Sequence, residues 1–127
     1  MDRPTSLPPG AESLGSADCL DHLAGARMGY LATTERALPV IVPVAITNDT
    51  GTNDTGCLLL APLFRARIGD HPDSARSDAV VALAVGDDTW CVVAQGILQG
   101  DPTGSTAQRR RFHPEMVAGW RRSSVPA

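Results

Sequence analysis

Apolar positions along the chain fall into short runs of two kinds. After Ser16-Ala17-Asp18, Leu20, Leu23 and Ala24 recur at helical spacing, so one short amphipathic helix opens there. Ser16 or Asp18 is placed to cap its free amides, and Gly25 and Gly29 bracket its end. The other runs are strand-like. Met28 to Thr34 is followed by a tight connection at Glu35-Arg36-Ala37 and a longer Val- and Ile-rich strand from Leu38 to Thr47. Pro39 and Pro43 cannot donate ladder hydrogen bonds and mark an edge, a bulge or an opening.

Cys57 to Leu60 is a third strand, reached through the near-repeat Asn48-Asp49-Thr50-Gly51 and Asn53-Asp54-Thr55-Gly56, which is turn chemistry. Both halves of that repeat match an Asn-x-Thr sequon, taken here as chance. Ala61 to Gly69 is a strand-to-helix passage, and Asp70 to Ser77 is a short middle helix with Pro72 in its first turn. Ala79 to Val85 is a nearly continuous apolar strand, Gly86-Asp87-Asp88 a turn, and Thr89 to Gln99 another strand with a bulge at Gly96. Gly100 to Thr106 is loop, and Ala107 to Phe112 is a helix or a final strand. One N-terminal helix, five or six strands with hairpin-like links and one middle helix describe a mainly β (α+β) chain, a small antiparallel β-barrel. Alternating βαβ units and a helical bundle do not fit.

Length sharpens this picture to one domain, since 127 residues cannot supply two good cores. Residues 1–16 read as a flexible Pro- and Gly/Ser-rich tail, 17–122 as the domain and 123–127 as a C-terminal tail. At 43% hydrophobic and 20% charged the composition is that of an ordinary globular chain. No apolar run approaches the roughly 20 residues of a membrane helix. Met1-Asp2-Arg3-Pro4 does not begin a secretory signal, so no membrane partner and a cytoplasmic location are expected. A net charge of −3 argues against a nucleic-acid partner. All eleven basic residues are Arg, so any anion held by a side-chain cation is held by a planar guanidinium fork.

Chemistry-bearing residues are few. Cys19, Cys57 and Cys91 are widely spaced and read as buried free thiols, and with His22, His71 and His113 they offer no zinc spacing, so no metal is expected. His113, ahead of Pro114, reads as a surface residue. Arg65 and Arg67 alternate by two and face one side of a strand, as a solvated pair or a phosphate clamp. Arg109-Arg110-Arg111 reads as a solvated face, or else as the contact for an acidic partner or a dimer rim. Trp90 is a core or interface anchor or a ring-stacking residue, and Cys91 a small core residue or a ligand contact. No catalytic triad or carboxylate pair can be defended from spacing, so no catalytic residue is named.

The segment Met28-Gly29-Tyr30-Leu31-Ala32-Thr33-Thr34, followed by Leu38-Pro39-Val40-Ile41-Val42-Pro43-Val44, resembles the pyridoxamine 5'-phosphate oxidase-like family of flavin-binding split β-barrels. The order of the later segments is similar too. Val81 to Val85, Trp90-Cys91-Val92-Val93-Ala94-Gln95-Gly96 and the closing His113-Pro114-Glu115-Met116-Val117-Ala118-Gly119-Trp120-Arg121-Arg122 stand where the family has its own strands. The likeness runs from about residue 17 to 122.

The resemblance implies a homodimer of split barrels with FMN in a cleft between subunits, or deazaflavin as an alternative, and electron or hydride transfer to a small-molecule substrate. It would pass the strand Ile41 to Ala45 beneath the isoalloxazine, with Val42 and Val44 as the matching positions. Leu60, Ala61 and Pro62 would line the ribityl and phosphate path, Arg65 or Arg67 would hold the phosphate, and Trp90 and Cys91 would approach the pyrimidine edge. Ala61 stands where the family has Thr, and Phe64-Arg65-Ala66-Arg67 replaces its Gly-Ser-Lys turn. These departures carry a second reading, a degenerate split barrel with no flavin that serves as a binding or structural dimer. An unrelated small β-barrel binding module is a third.

Overall fold

The computed structural model of the chain describes residues 10–48, 57–64, 68, 78–100 and 109–123. In chain order the elements are β1 (Ala11–Leu14), α1 (Ser16–Gly25), β2 (Met28–Glu35), β3 (Leu38–Asn48), β4 (Leu58–Pro62), β5 (Ala79–Gly86), β6 (Trp90–Leu98) and β7 (Arg110–Arg122). The expected middle helix at Asp70 to Ser77 lies outside the described residues, as do residues 49–56 and 101–108.

The strands follow one another antiparallel in the order β7-β4-β3-β2-β5-β6, and β6 pairs back onto β7, so six of the seven strands close into a barrel. β1 lies outside this ring against the far end of β7. Alternation with period two sends one set of side chains inward. Leu31, Val42, Val44, Ile46, Leu58, Leu60, Val81, Leu83, Val85, Val92, Ala94, Leu98 and Phe112 form the buried core, joined by Cys19 and Leu23 from α1. α1 packs on β6 and β7. Each fully buried Leu, Val or Phe contributes about 1.5–3 kcal/mol relative to an exposed one.

Several expectations are corrected. Ala11–Leu14, read as part of the tail, forms β1, because its backbone finds partners more than one hundred positions away, such as Ala11 opposite Arg122. Ser123 N–H, at the start of the other tail, donates to Gly10 O. Neither Ser16 nor Asp18 caps α1. Gly15 occupies the cap position without a side-chain bond, and its carbonyl accepts from Cys19 N–H at 2.9 Å. Gly29 belongs to β2 rather than to the helix end. The described strands number seven, and Arg110 to Phe112 open the longest of them. Within the Arg run, Arg110 is buried and donates through Nε to Gln99 O at 2.9 Å, whereas Arg109 is exposed.

Other expectations hold with a shift of one or two residues. Pro39 lies on the half of β3 that β4 does not cover, since β4 pairs only with Val44 to Asn48. The register break comes opposite Gly96, where the extra residue belongs to β7: Gln95 faces Met116 and Gly96 faces Pro114, leaving Glu115 over. Gly96 is required by close approach, because a Cβ there would lie 2.0 Å from His113 O.

The β2–β3 hairpin turns on Arg36 and Ala37, with φ of 52° and 67°. Two-residue turns of this hand favour Asn-Gly, and an L-residue in the left-handed region costs about 1–2 kcal/mol. Ala37→Gly is expected to raise stability by about 1 kcal/mol, read as a later midpoint in urea unfolding. An earlier midpoint would show that the turn carries no such strain. No helix among the described residues is long and apolar enough to cross a membrane.

Candidate functional site

Much of the outer wall of the barrel is apolar as well. Across it, Ile41, Ala32, Ala82, Gln95 and Met116 occupy one register row, and Pro43, Tyr30, Ala84, Val93 and Ala118 the next. Ile41, Tyr30 and Met116 are exposed at 68%, 52% and 67%, and Val80 at 76%. Strands that are apolar on both faces are built to be covered on both.

Within this wall a cavity of about 390 Å³ opens where β2, β5 and the start of β6 meet. Met28, Tyr30, Ala84, Val85 and Cys91 form its sides, with Gly86 and Asp87 at its rim. A volume of this size lies within the range of small-molecule sites. Gly86 has φ of 147°, and a Cβ there would meet Trp90 O at 2.3 Å, so the hairpin closes only with glycine. A second cavity of about 230 Å³ lies beside the same hairpin, lined by Trp90, Trp120 and Arg122. Asp87 and Cys91 border both.

The hairpin is held firmly. Asp87 Oδ1 accepts from Thr89 N–H at 2.7 Å, Thr89 Oγ1–H at 2.6 Å and Trp90 N–H at 3.3 Å. The Thr89 hydroxyl, its amide and the Trp90 amide hold the Asp87 carboxyl below its ordinary range, against a smaller opposing effect of burial. Arg122 Nη2 donates to Asp88 O at 2.8 Å, and Arg122 N–H to Thr89 O at 2.7 Å. The Trp90 indole stacks on His22 of α1 with centroids 4.3 Å apart, so its ring-stacking partner belongs to the chain itself. Burial pushes the Cys91 thiol up, which keeps it an uncharged S–H at neutral pH.

Of the residues marked in the sequence, Trp90 and Cys91 border these cavities. Val42, Val44 and Leu60 point into the barrel and belong to the core. The outward positions of the same strands are Ile41, Pro43, Ala45 and Ala61. Ala61 faces Ala45, which faces Met28, so the end of β4 and the cavity wall share one row of the outer surface. Pro62 faces Val44 at the strand end. Arg65 and Arg67 lie outside the described residues.

Met28, Tyr30, Ala84 and Asp87 were not marked. The signal of the first three is alternation: beside inward Gly29, Leu31 and Leu83 stand residues that are again apolar, whereas Asp87 belongs to the turn. Mechanistically, the site offers an apolar slot, one neutral thiol and a rigid hairpin. Among the described residues that line it there is no nucleophile–base pair, and what they offer is binding and orientation.

No family model matches the chain, and no curated protein matches it. Solved structures do. A FAD-binding protein from Mesorhizobium loti superposes with a TM-score of 0.60 at 16% identity, covering 89% of this chain and 99% of that one. A FAD binding protein from Mycobacterium smegmatis gives 0.57 at 18% identity, with coverage of 87% and 97%. A candidate pyridoxamine 5'-phosphate oxidase from Corynebacterium glutamicum gives 0.55 at 15% identity, with coverage of 93% and 98%. The fold is the pyridoxamine 5'-phosphate oxidase-like split barrel. At these identities the likeness speaks for the split-barrel architecture along nearly the whole chain.

Proposed function

We propose that this split barrel binds a flavin in the outer-wall cavity and passes electrons or hydride between it and a small molecule. The observation that carries the reading is the cavity itself. It is apolar, it is of small-molecule size, and Cys91 lies in its wall at the position the resemblance assigns to the flavin pyrimidine edge. Met28, Tyr30 and Ala84 offer the apolar contact an isoalloxazine needs, and Gly86 brings backbone to the rim with no side chain in the way. Two structural neighbours described as FAD-binding support a flavin in general, with FMN as the first candidate and deazaflavin as the alternative. A bound flavin would supply the redox chemistry, and the chain would supply binding and exclusion of water.

A second copy of the chain completes this proposal. The row Ile41, Ala32, Ala82, Gln95 and Met116, in which Ile41 and Met116 are exposed and the alanines half-buried, borders the cavity wall, and a homodimer would cover it. Titration of the purified chain with FMN, FAD and a deazaflavin tests the cofactor. Saturable uptake with absorbance near ~450 nm is expected for the first two. A dimer that takes up none of the three refutes flavin binding. It supports the second reading, a binding or structural dimer, which Ala61 in place of the family's Thr favours.

A further inference from the structure

One pair of reactive groups lies outside the candidate site. Cys57 Sγ and His113 Nδ1 are 3.0 Å apart. They come together through the sheet: Leu58 faces Phe112, so the preceding Cys57 stands opposite His113 on the outward side. His113 is fixed from behind by β6, where Ile97 is its register partner and side-chain-free Gly96 lets the His113 carbonyl close in. In the tautomer with Nδ1 unprotonated, the imidazole is a built-in acceptor for the thiol proton, which is the arrangement that activates a nucleophilic sulfur.

We propose that Cys57 and His113 form a base-assisted thiol site that small neutral peroxides oxidise to a sulfenic acid. Cys57 is only 6% exposed, so the site selects by size and excludes bulky or charged oxidants. In the step, Cys57 Sγ attacks one peroxide oxygen, forming an S–O bond as the O–O bond breaks. His113 Nδ1 takes the thiol proton and passes it to the departing hydroxide, which leaves as water. Sulfur loses two electrons and hydrogen peroxide gains them. The charged residues two positions either side of His113 on β7 are Arg111 and Glu115. On β6 the register partner of His113 is Ile97, and on the β4 side Leu58 follows Cys57 opposite Phe112, neither of them titratable.

The three cysteines give an internal control. Burial raises the thiols of Cys19 and Cys91, with Asp18 adding to the effect at Cys19, and Cys91 is the more open sulfur. The full chain is treated with limiting hydrogen peroxide and dimedone, and each cysteine is read by peptide mass spectrometry. Cys57 is expected to trap dimedone at least about tenfold faster than Cys91 at about pH 7, and His113→Asn to remove that advantage while leaving Cys91 unchanged. Should that variant not fold, acidification of the wild-type chain from about pH 8 to about pH 6 decides. The Cys91 rate is expected to fall about a hundredfold with its thiolate, and the Cys57 rate by less than about tenfold. Cys91 labelling first, or the two rates falling in parallel, overturns the proposal. The test is independent of flavin binding.

Discussion

Phe112→Ala is expected to cost about 3–5 kcal/mol, a large part of the roughly 5–15 kcal/mol that holds a domain of this size together. Phe112 is the largest of the fully buried side chains. It stands on β7 between Leu58 of β4 and Leu98 of β6, at the seam where the barrel closes. Truncation leaves a cavity flanked by three strands whose backbones are tied to one another, so the walls cannot collapse inward. In urea the midpoint should fall by about 2 M at an ordinary slope of ~1–3 kcal/mol/M. Phe112→Leu, which keeps most of the volume, should lose less than half as much. A loss below about 1 kcal/mol for the Ala variant would show that the seam does not depend on this ring.

Ala82→Arg is the corresponding test of the outer wall. Ala82 faces Ala32 on one side and Gln95 on the other, in the middle of the row that the proposed partner copy covers. An Arg there projects a charge and a long chain into an apolar contact. Burying that charge without a partner costs several kcal/mol per subunit. The homodimer is therefore expected to weaken by more than about a hundredfold, with flavin uptake falling alongside it. Light scattering and analytical sedimentation read the first effect, and FMN titration the second. A variant that stays dimeric would move the interface to another face. A monomer that still binds flavin at wild-type affinity would show that one subunit suffices for the cavity.

The strands that carry the core were legible in the sequence, and their inward positions are fixed by the barrel. Leu31, Val42, Val44, Leu60, Val81, Leu83, Val85 and Val92 lie on the inward face of the strands read from those apolar runs. The Gly86-Asp87-Asp88 turn and the irregularity at Gly96 were legible too, because each rests on backbone conformations or approaches that few residues allow. The site was legible only in part. Cys91 and Trp90 were marked through resemblance and do border cavities. Val42, Val44 and Leu60 point into the core and so do not line the outer-wall cavity, because resemblance identifies a segment and the strand's two-residue period decides the side. Tyr30 and Met28 shape the cavity and carried no chemical signal of their own.

Local pattern alone thus determined a mainly β chain, its short helix and the approximate place of its strands. These follow from interactions between residues near in sequence and from the two-residue period of the strand. Tertiary structure decided what depends on pairing across long stretches of chain. It recruited Ala11–Leu14 to β7, buried Arg110, and closed β6 onto β7. It also brought Cys57 to His113 across fifty-six positions. No local preference encodes such meetings, because their free energy comes from backbone groups and surfaces that become neighbours only once the barrel has closed.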